Sequence, residues 1–281
     1  SKTGFAGRIE FLRHHECHLA SAYYPSGFDD ALVVSYDGIG EIESGLIATG
    51  HGGCLEVVHH GPRFPHSLGL IYSAVTHFLG WKHHCDEGIV MGLATFGNPF
   101  ETAPHGDRTY IDLFREIIHV VDDYDYSIDE SYISYHLKRD TWISEKFVES
   151  FGSPRASNGP IEQRHQDIAA ALQLRLEEVV LGQLEKAKDT YKRSKLCLAG
   201  GVALNCSAVM DMFYSNIFKK IYISPNPADT GLALGCAYYG AAKKGEKVEP
   251  LQTPYLGSKY SEKEIKKELI NNNMKFISPK N

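Results

Sequence analysis

The stretch LCLAGGVALNC, residues 196–206, predicts a buried strand, a glycine turn and the start of a helix. Its apolar residues run together without alternation, which is typical of a strand covered on both faces. The same order returns in KIYISPNPADTGLALGCA, residues 220–237. Two strand–loop–helix units in succession predict an α/β fold with a mixed sheet and ligand sites at the strand ends.

Hydrophobic periodicity outside these two units predicts the remaining elements. Strands are predicted at residues 7–12, 31–36, 45–50 and 54–59, the last two forming a hairpin. Helices are predicted at residues 14–24, 68–79, 162–192, 203–213, 230–242 and 261–271. Residues 85–97, which carry DEG and MGL, are predicted to form a loop.

Changes in composition divide the chain into four parts. Residues 98–160 are rich in Tyr, Asp, Ser and Pro, and we interpret them as an insertion or cover region that separates residues 1–97 from a second lobe at 161–245. The insertion could pack on the body or form a mobile cover, and both readings stay open. The charged segment 246–281 is predicted to be a linker towards a further domain.

Composition excludes several classes of function. The 281 residues carry a net charge of −6, so no broad electrostatic attraction to nucleic acid or anionic lipid is expected. No apolar run approaches a membrane span, and residues 1–14 lack the core of a signal peptide. None of the six cysteines forms a Cys-x-x-Cys pair, which indicates reduced thiols and a cytoplasmic protein.

The sequence HHECH, residues 14–18, is the sharpest local signal for chemistry. His14 and His18 are four residues apart, so a helix places them on one face, where they can hold one metal ion. Two ligands bind weakly, and Asp229 could supply the carboxylate of a His₂Asp set, which suits Fe(II), with Zn or Mn as competitors. The alternative interpretation is that the two histidines are solvated side chains at a helix start and that Asp229 is the N-cap of the following helix.

Two glycine turns follow buried strands. Asp37 and Gly38 stand where the backbone can closely approach a phosphate, and Gly200 and Gly201 could offer backbone N–H groups beside a helix N-terminus. Asn205, on the first turn of that helix, could contact a base or ribose. The alternatives are a plain hairpin turn, tight strand–helix packing and a helix cap.

A second histidine cluster, HHCDE at residues 83–87, also resembles a metal site. Its spacing does not favour one face of one helix, so solvated side chains are the better reading.

Seven motifs, taken together and in order, resemble the NodU/CmcH family of O-carbamoyltransferases, which modify antibiotics and nodulation factors. They are HHECHLASAYYPS, VSYDGIGE, RFPHSLGLIYSAVTHFLGWK, DEGIVMGLATFG, HQDIAAALQLRLEEVV, LCLAGGVALNC and DTGLALGCA. The resemblance implies a Kae1-like domain of the actin/Hsp70/sugar-kinase fold. Such a domain takes carbamoyl-adenylate, which a separate YrdC-like domain makes from carbamoyl phosphate and ATP. It passes the carbamoyl group to a hydroxyl of a small-molecule acceptor.

The resemblance also assigns roles to residues. His14, His18 and Asp229 match the family's metal ligands, usually for iron, through which they would act in catalysis. Five residues match the family's nucleotide-binding positions. They are the glycine-turn residues Asp37, Gly38, Gly200 and Gly201, and Asn205 on the helix that follows.

The sequence departs from the family pattern in several places. Ile89 stands where a lysine is expected, Val209 and Met210 replace Asn-Gly, and Ala228 replaces a glycine. The N-terminal strand pair and the YrdC-like domain are not found, so a fragment is expected. Two alternatives stay open. One is threonylcarbamoyl transfer to tRNA, and the other is a degenerate nucleotide-binding regulatory domain.

Overall fold

The structure, a computed structural model, describes residues 7, 9–104 and 106–278. It divides into two compact units, residues 1–250 and 251–281. The strands are β1 (Asp30–Tyr36), β2 (Gly45–His51), β3 (Cys54–His60), β4 (Ile118–Val120), β5 (Tyr126–Ile128), β6 (Lys195–Ala199) and β7 (Lys220–Ile223). The helices are α1 (His14–Ser26), α2 (Leu68–Phe78), α3 (Glu87–Ala94), α4 (Tyr110–Ile117), α5 (Glu145–Phe151), α6 (Gln163–Tyr191), α7 (Cys206–Tyr214), α8 (Leu232–Lys243) and α9 (Glu262–Asn271).

The centre of the larger unit is a five-stranded mixed sheet in the order β3-β2-β1-β6-β7. Strands β1 to β3 pair antiparallel, and β6 and β7 continue the sheet parallel to β1. The predicted α/β class is therefore confirmed. Because β1 and β6 are parallel neighbours, the segments that follow them leave the sheet at the same edge, and these segments carry both predicted glycine turns.

Both faces of the sheet are covered, which explains the unbroken apolar run of β1. Leu32 and Val34 face a large core formed with α2, α4, α5 and α6. Ala31 and Val33 face a smaller core that includes α1 and residues of α8. A strand buried on both sides has no solvent face on which polar residues would alternate.

Residues 98–160 pack their apolar side chains into the larger core. Phe114 of α4 and both Phe147 and Phe151 of α5 are fully buried there, beside Phe78 of α2. Ring centroids of Phe78 and Phe147 lie 5.0 Å apart in an edge-on arrangement. The short strands β4 and β5 pair in a separate two-stranded sheet. Aromatic packing therefore fixes this part of the segment to the body.

Two predicted elements are wrong. Residues 85–97 contain helix α3 rather than a loop, because Val90 and Leu93 turn inwards at helical spacing although the helix also contains Gly88 and Gly92. The predicted strand 7–12 is absent at Gly7 and at residues 9–12, while Arg8 lies outside the described residues. Ile9 and Phe11 are exposed, so nothing there pairs a strand or covers its apolar side chains.

Two predicted helices begin later than the apolar pattern indicated. Each is preceded by a 3-10 turn, at Gly201–Leu204 before α7 and at Asp229–Gly231 before α8. Among the described residues, no helix has the length and apolarity that crossing a membrane requires. The smaller unit, residues 251–281, contains α9, which begins with a capping box between Ser261 and Glu264.

Candidate metal and nucleotide site

Helix α1 presents two histidine side chains on one face. His18 is fully buried and His14 is partly exposed, and their Nε2 atoms lie 3.0 Å apart. The helix begins after Arg13 and ends at Gly27, whose left-handed conformation terminates it. Its first backbone N–H, that of His14, donates to the side chain of Glu41 at 3.0 Å. The i, i+4 spacing thus brings both imidazoles to one point, as predicted.

The intervening histidine anchors this helix to the sheet. His15 is buried, and its Nε2 lies 2.8 Å from the carbonyl oxygen of Glu43, which can only accept. Nε2 therefore carries the proton, and Nδ1 accepts from the hydroxyl of Ser35 at 3.2 Å. Burial lowers the pKa of His15, which keeps it neutral in this role.

Asp37 joins the two histidines, immediately after β1. Its Oδ2 lies 3.0 Å from Nε2 of His14 and 3.1 Å from Nε2 of His18. Its Oδ1 accepts the backbone N–H of Gly201 at 2.8 Å. The parallel pairing of β1 and β6 produces this contact, because the two strand ends lie side by side. Asp37 was predicted only as a nucleotide contact, so its place among the histidines is an addition.

Asp229 reaches the same point from the 3-10 turn Asp229–Gly231 that precedes α8. Its Oδ1 lies 3.4 Å from Nε2 of each histidine, and its side chain is 67% exposed. Helix α8 begins at Leu232 with Gly231 as its N-cap, so Asp229 is not the cap residue of that helix. The four ligand atoms of His14, His18, Asp37 and Asp229 all lie within 4.8 Å of one another.

Hydrogen bonds alone do not satisfy this arrangement. The two Nε2 atoms and Asp37 Oδ2 are mutual neighbours at 3.0–3.1 Å, and each neutral imidazole has one N–H, which points at one partner only. A cation fits better. Two ligands at right angles around an ion with bonds of about 2.1 Å lie about 3.0 Å apart. Imidazole nitrogens with carboxylate oxygens suit Fe(II), Zn or Mn.

The charges around the cluster favour ionised Asp37. Hydrogen bonding to Asp37 raises the pKa of His14, although burial opposes it. Burial also opposes ionisation of Asp37, but hydrogen bonds with His14 and His18 hold the pKa of Asp37 far below its ordinary value. The cluster therefore presents a carboxylate towards the two imidazoles.

A cleft of about 610 Å³ opens beside the cluster. Asp37 and Asp229 belong both to the cluster and to the wall of this cleft. The predicted nucleotide residues Gly38, Gly201 and Asn205 line it as well. Its apolar wall comes from several elements: Leu68, Leu70, Tyr72, Met91, Leu176, Val202 and Leu204. This size and lining are typical of a small-molecule site.

The glycine turn after β6 acts differently from the prediction. The N–H of Gly200 donates to the carbonyl of Pro227 at 2.8 Å, and that of Gly201 donates to Asp37. Neither N–H group is therefore free for a phosphate. A Cβ on Gly201 would lie 2.8 Å from Asp37 Oδ1, so the absence of a side chain is what lets the two segments approach.

Asn205 is the N-cap of α7 and also lies in the cleft wall. Its side-chain oxygen accepts the backbone N–H of Ala208 at 3.0 Å. Its amide is further held by a reciprocal pair with Gln173. Sequence reasoning missed Gln173, whose only signal was a polar residue on the apolar stripe of α6.

One of the four positions that depart from the family pattern belongs to the cleft wall. Ala228 lines it, whereas Ile89, Val209 and Met210 are not among its lining residues. Ile89 is half-exposed on α3.

In the second histidine cluster, His84, Cys85 and Glu87 line the cleft. Glu87 accepts hydrogen bonds from the Ser73 hydroxyl and the His84 backbone N–H, at 2.5 and 2.6 Å. Within the described part of the chain, these residues do not form a group with metal-ligand geometry.

Residues 1–238 match the family model described as the carbamoyltransferase N-terminus. The chain belongs to this carbamoyltransferase family. It is 36% identical over 263 residues to an uncharacterized protein of Synechocystis sp., covering 91% of this chain and 41% of that protein. It is 35% identical over 266 residues to the nodulation protein NolNO of Sinorhizobium fredii, covering 94% and 36%. The family resemblance predicted from the seven motifs is confirmed.

The chain spans about two fifths of the length of these relatives. Among solved structures, HypF of T. kodakarensis superimposes with a TM-score of 0.45 at 14% identity, over 87% of this chain and 38% of that one.

Proposed function

We propose that this chain is the acceptor-transfer domain of an O-carbamoyltransferase. It would bind carbamoyl-adenylate in the cleft beside the His14–His18–Asp37–Asp229 cluster and transfer the carbamoyl group to a hydroxyl of a small-molecule acceptor. The adenylate would come from carbamoyl phosphate and ATP through a YrdC-like domain of the full-length protein. The proposal goes further than the family assignment, which identifies the chain as a carbamoyltransferase N-terminus and does not give the reaction steps.

One observation carries the proposal. Asp37 and Asp229 are shared between a cluster with metal-ligand geometry and a cleft large enough for a nucleotide. A mixed anhydride bound with its carbamoyl end towards these two carboxylates would have its reactive carbon beside the cluster. The mixed sheet with helices on both faces supports the actin/Hsp70/sugar-kinase (Kae1-like) fold that the resemblance implies.

In the proposed reaction, the acceptor oxygen forms a bond to the carbamoyl carbon. The bond between that carbon and the bridging phosphate oxygen breaks, AMP leaves with the bonding electrons, and the hydroxyl proton is released to water. A metal ion held by the four ligands would act as a Lewis acid towards the carbamoyl oxygen or the acceptor hydroxyl. The apolar wall of the cleft would limit access of water, which would otherwise hydrolyse the anhydride.

The protein's own residues would keep the site in place. The N–H of Gly201 holds Oδ1 of Asp37, which leaves Oδ2 directed at the histidines. His15 ties α1 to the sheet through Glu43 and Ser35. The groups that hold the site here, the backbone N–H of Gly201 and the imidazole of His15, are themselves neutral, so their contacts would persist when the ligands at the cluster change.

A stable analogue tests nucleotide recognition directly. We expect metal-loaded protein to bind 5′-O-(N-carbamoylsulfamoyl)adenosine at least about tenfold more tightly than adenosine, because the carbamoyl end adds contacts at the cluster. The Asp229→Ala variant should bind both compounds with similar affinity. Isothermal titration calorimetry measures each dissociation constant, with the guanosine analogue as the matched ligand control.

The alternatives give different results in the same assay. Tighter binding of the corresponding threonylcarbamoyl analogue would favour transfer to tRNA. The alternative of a degenerate regulatory domain rests on Ile89, which stands where a lysine is expected. Ile89 is not among the residues that line the cleft. We therefore expect Ile89→Lys to change adenosine affinity by less than about twofold. Failure of the wild-type protein to bind either adenosine compound would contradict the proposed function.

A further inference from the structure

Two cysteines from distant parts of the chain meet where helix α8 packs on helix α1. Cys17 of α1 is 5% exposed, whereas Cys236 of α8 is an exposed free thiol. Burial raises the pKa of the Cys17 thiol to about 12, and the nearby Cys236 thiol adds to this rise through its charge and a side-chain hydrogen bond. The pair therefore consists of one shielded and one accessible sulfur.

The backbones of the two helices come very close beside this pair. Gly235 is buried, and a Cβ at this position would lie 1.9 Å from the carbonyl oxygen of Cys17 and 3.1 Å from Cβ of Ser21. A disulfide requires Cα atoms within about 7 Å of each other, so it can form only where two backbones approach in this way. The absence of a side chain at Gly235 thus permits a bond between its neighbour Cys236 and Cys17.

Aromatic contacts hold the two helices in this arrangement. The rings of Tyr24 in α1 and Tyr238 in α8 stack, with centroids 6.2 Å apart and planes 8° from parallel. Burial raises the pKa of Tyr239, and the carboxylate of Glu16 beside it raises this pKa further. The side chains on either side of the cysteine pair therefore also join α1 to α8.

The cysteine pair lies next to the converging ligands of the candidate metal site. Cys17 directly precedes His18, and α8 follows the 3-10 turn that begins at Asp229. A covalent bond between Cys17 and Cys236 would therefore tie the helix that carries both histidines to the helix that follows the Asp229 carboxylate.

We propose that Cys17 and Cys236 form an oxidative modification site, at which a peroxide links α1 to α8 by a disulfide. The exposed sulfur of Cys236 reacts first. It takes one oxygen atom from hydrogen peroxide, which gives a sulfenic acid and one water. The sulfur of Cys17 then forms the S–S bond, and its proton leaves with the sulfenic hydroxyl as a second water. Two thiols thus pass two electrons to one peroxide molecule.

Peptide mapping after peroxide treatment tests the proposal. The background variant replaces three other exposed cysteines with serine: Cys54, Cys85 and Cys206. With equimolar hydrogen peroxide, it should lose two free thiols per chain and yield a peptide pair joined through Cys17 and Cys236. Adding Cys236→Ser should abolish this cross-link and leave Cys17 reduced, because the accessible sulfur is gone.

The reciprocal variant separates the roles of the two sulfurs. With Cys17→Ala in the same background, the sulfenic acid on Cys236 has no thiol to attack it and should persist. Dimedone, which traps sulfenic acids, should label Cys236 at least about fivefold more in this variant than in the background variant. Equal labelling would mean that Cys17 does not attack the oxidised sulfur.

Stability measures whether the bond joins the helices in their native arrangement. The disulfide would close a loop that contains most of the chain, so peroxide should raise the urea midpoint of the background variant by about 1 M. The midpoint of the variant with Cys236→Ser should not change. Circular dichroism measures both.

Two further results would overturn the proposal. One is a peptide map in which Cys236 is joined to a second chain or to no cysteine at all. The other is a disulfide between Cys17 and Cys236 that forms without raising the urea midpoint. The cross-link does not depend on carbamoyl transfer, so neither result would affect the proposed function.

Discussion

Replacing Gly200 with alanine is expected to lower the free energy of unfolding by at least about 4 kcal/mol. The backbone of Gly200 has φ 89° and ψ 161°, a region that is open essentially to glycine alone. A Cβ would lie 2.1 Å from the carbonyl oxygen of Tyr36. That oxygen belongs to the end of the central strand β1, which cannot move away without breaking its pairing with β6.

Gly53 is a control that separates the effect of the steric clash from the effect of the left-handed backbone conformation. Gly53 in the hairpin turn has φ 78°, but nothing lies within 4 Å of the position a Cβ would take. Gly53→Ala should therefore lose only about 1–2 kcal/mol. Urea denaturation followed by circular dichroism measures both variants. A loss in Gly200→Ala no larger than that in Gly53→Ala would contradict the close approach of the two strand ends.

Changing Asp37 to asparagine is expected to lower metal affinity by about a hundredfold or more. Residues that only support metal ligands typically contribute 10–100-fold, and Asp37 Oδ2 lies 3.0–3.1 Å from both imidazole nitrogens. Asparagine retains an oxygen for the N–H of Gly201, so the fold should persist while the negative charge is lost. Competition between the protein and a chromophoric chelator for Zn²⁺ measures the change.

Glu41 provides the matched control for Asp37. Its carboxylate is nearby and accepts the backbone N–H of His14, but it is not one of the four converging ligands. Glu41→Gln should bind Zn²⁺ within about threefold of the wild-type protein, because an exposed charge is screened by solvent. Equal losses in the two variants would mean that general electrostatics, and not ligation by Asp37, hold the ion.

The central strands β1 and β6 could be predicted from the sequence because they are buried on both faces. The runs that became β1 and β6 show no alternation, and each ends in a turn with glycine. The hairpin of β2 and β3 was predicted correctly from two apolar runs around a His-Gly-Gly turn. The long periodic helix α6 was also predicted almost to its ends. The local pattern of apolar residues was therefore sufficient to predict an element wherever burial gave those residues a single regular spacing.

The rest depended on contacts that no local pattern contains. Helix α3 was missed because Gly88 and Gly92 on its open side resemble loop residues, while Val90 packs into the core. The position of Asp37 beside His14 follows from the order of strands in the sheet, and its sequence neighbours indicate only a turn. The pairing of Gln173 with Asn205 joins residues 32 apart on two helices.

The metal content of protein purified without oxygen or chelator, measured beside His14→Ala, tests the central claim most directly. One ion per chain is predicted for the wild-type protein, with iron the first expectation, and it should be absent from the variant because His14 Nε2 is one of the four converging atoms. Reconstitution with Fe(II), Zn²⁺ and Mn²⁺ completes the measurement. Wild-type protein that carries no metal and takes up none of the three would contradict the account.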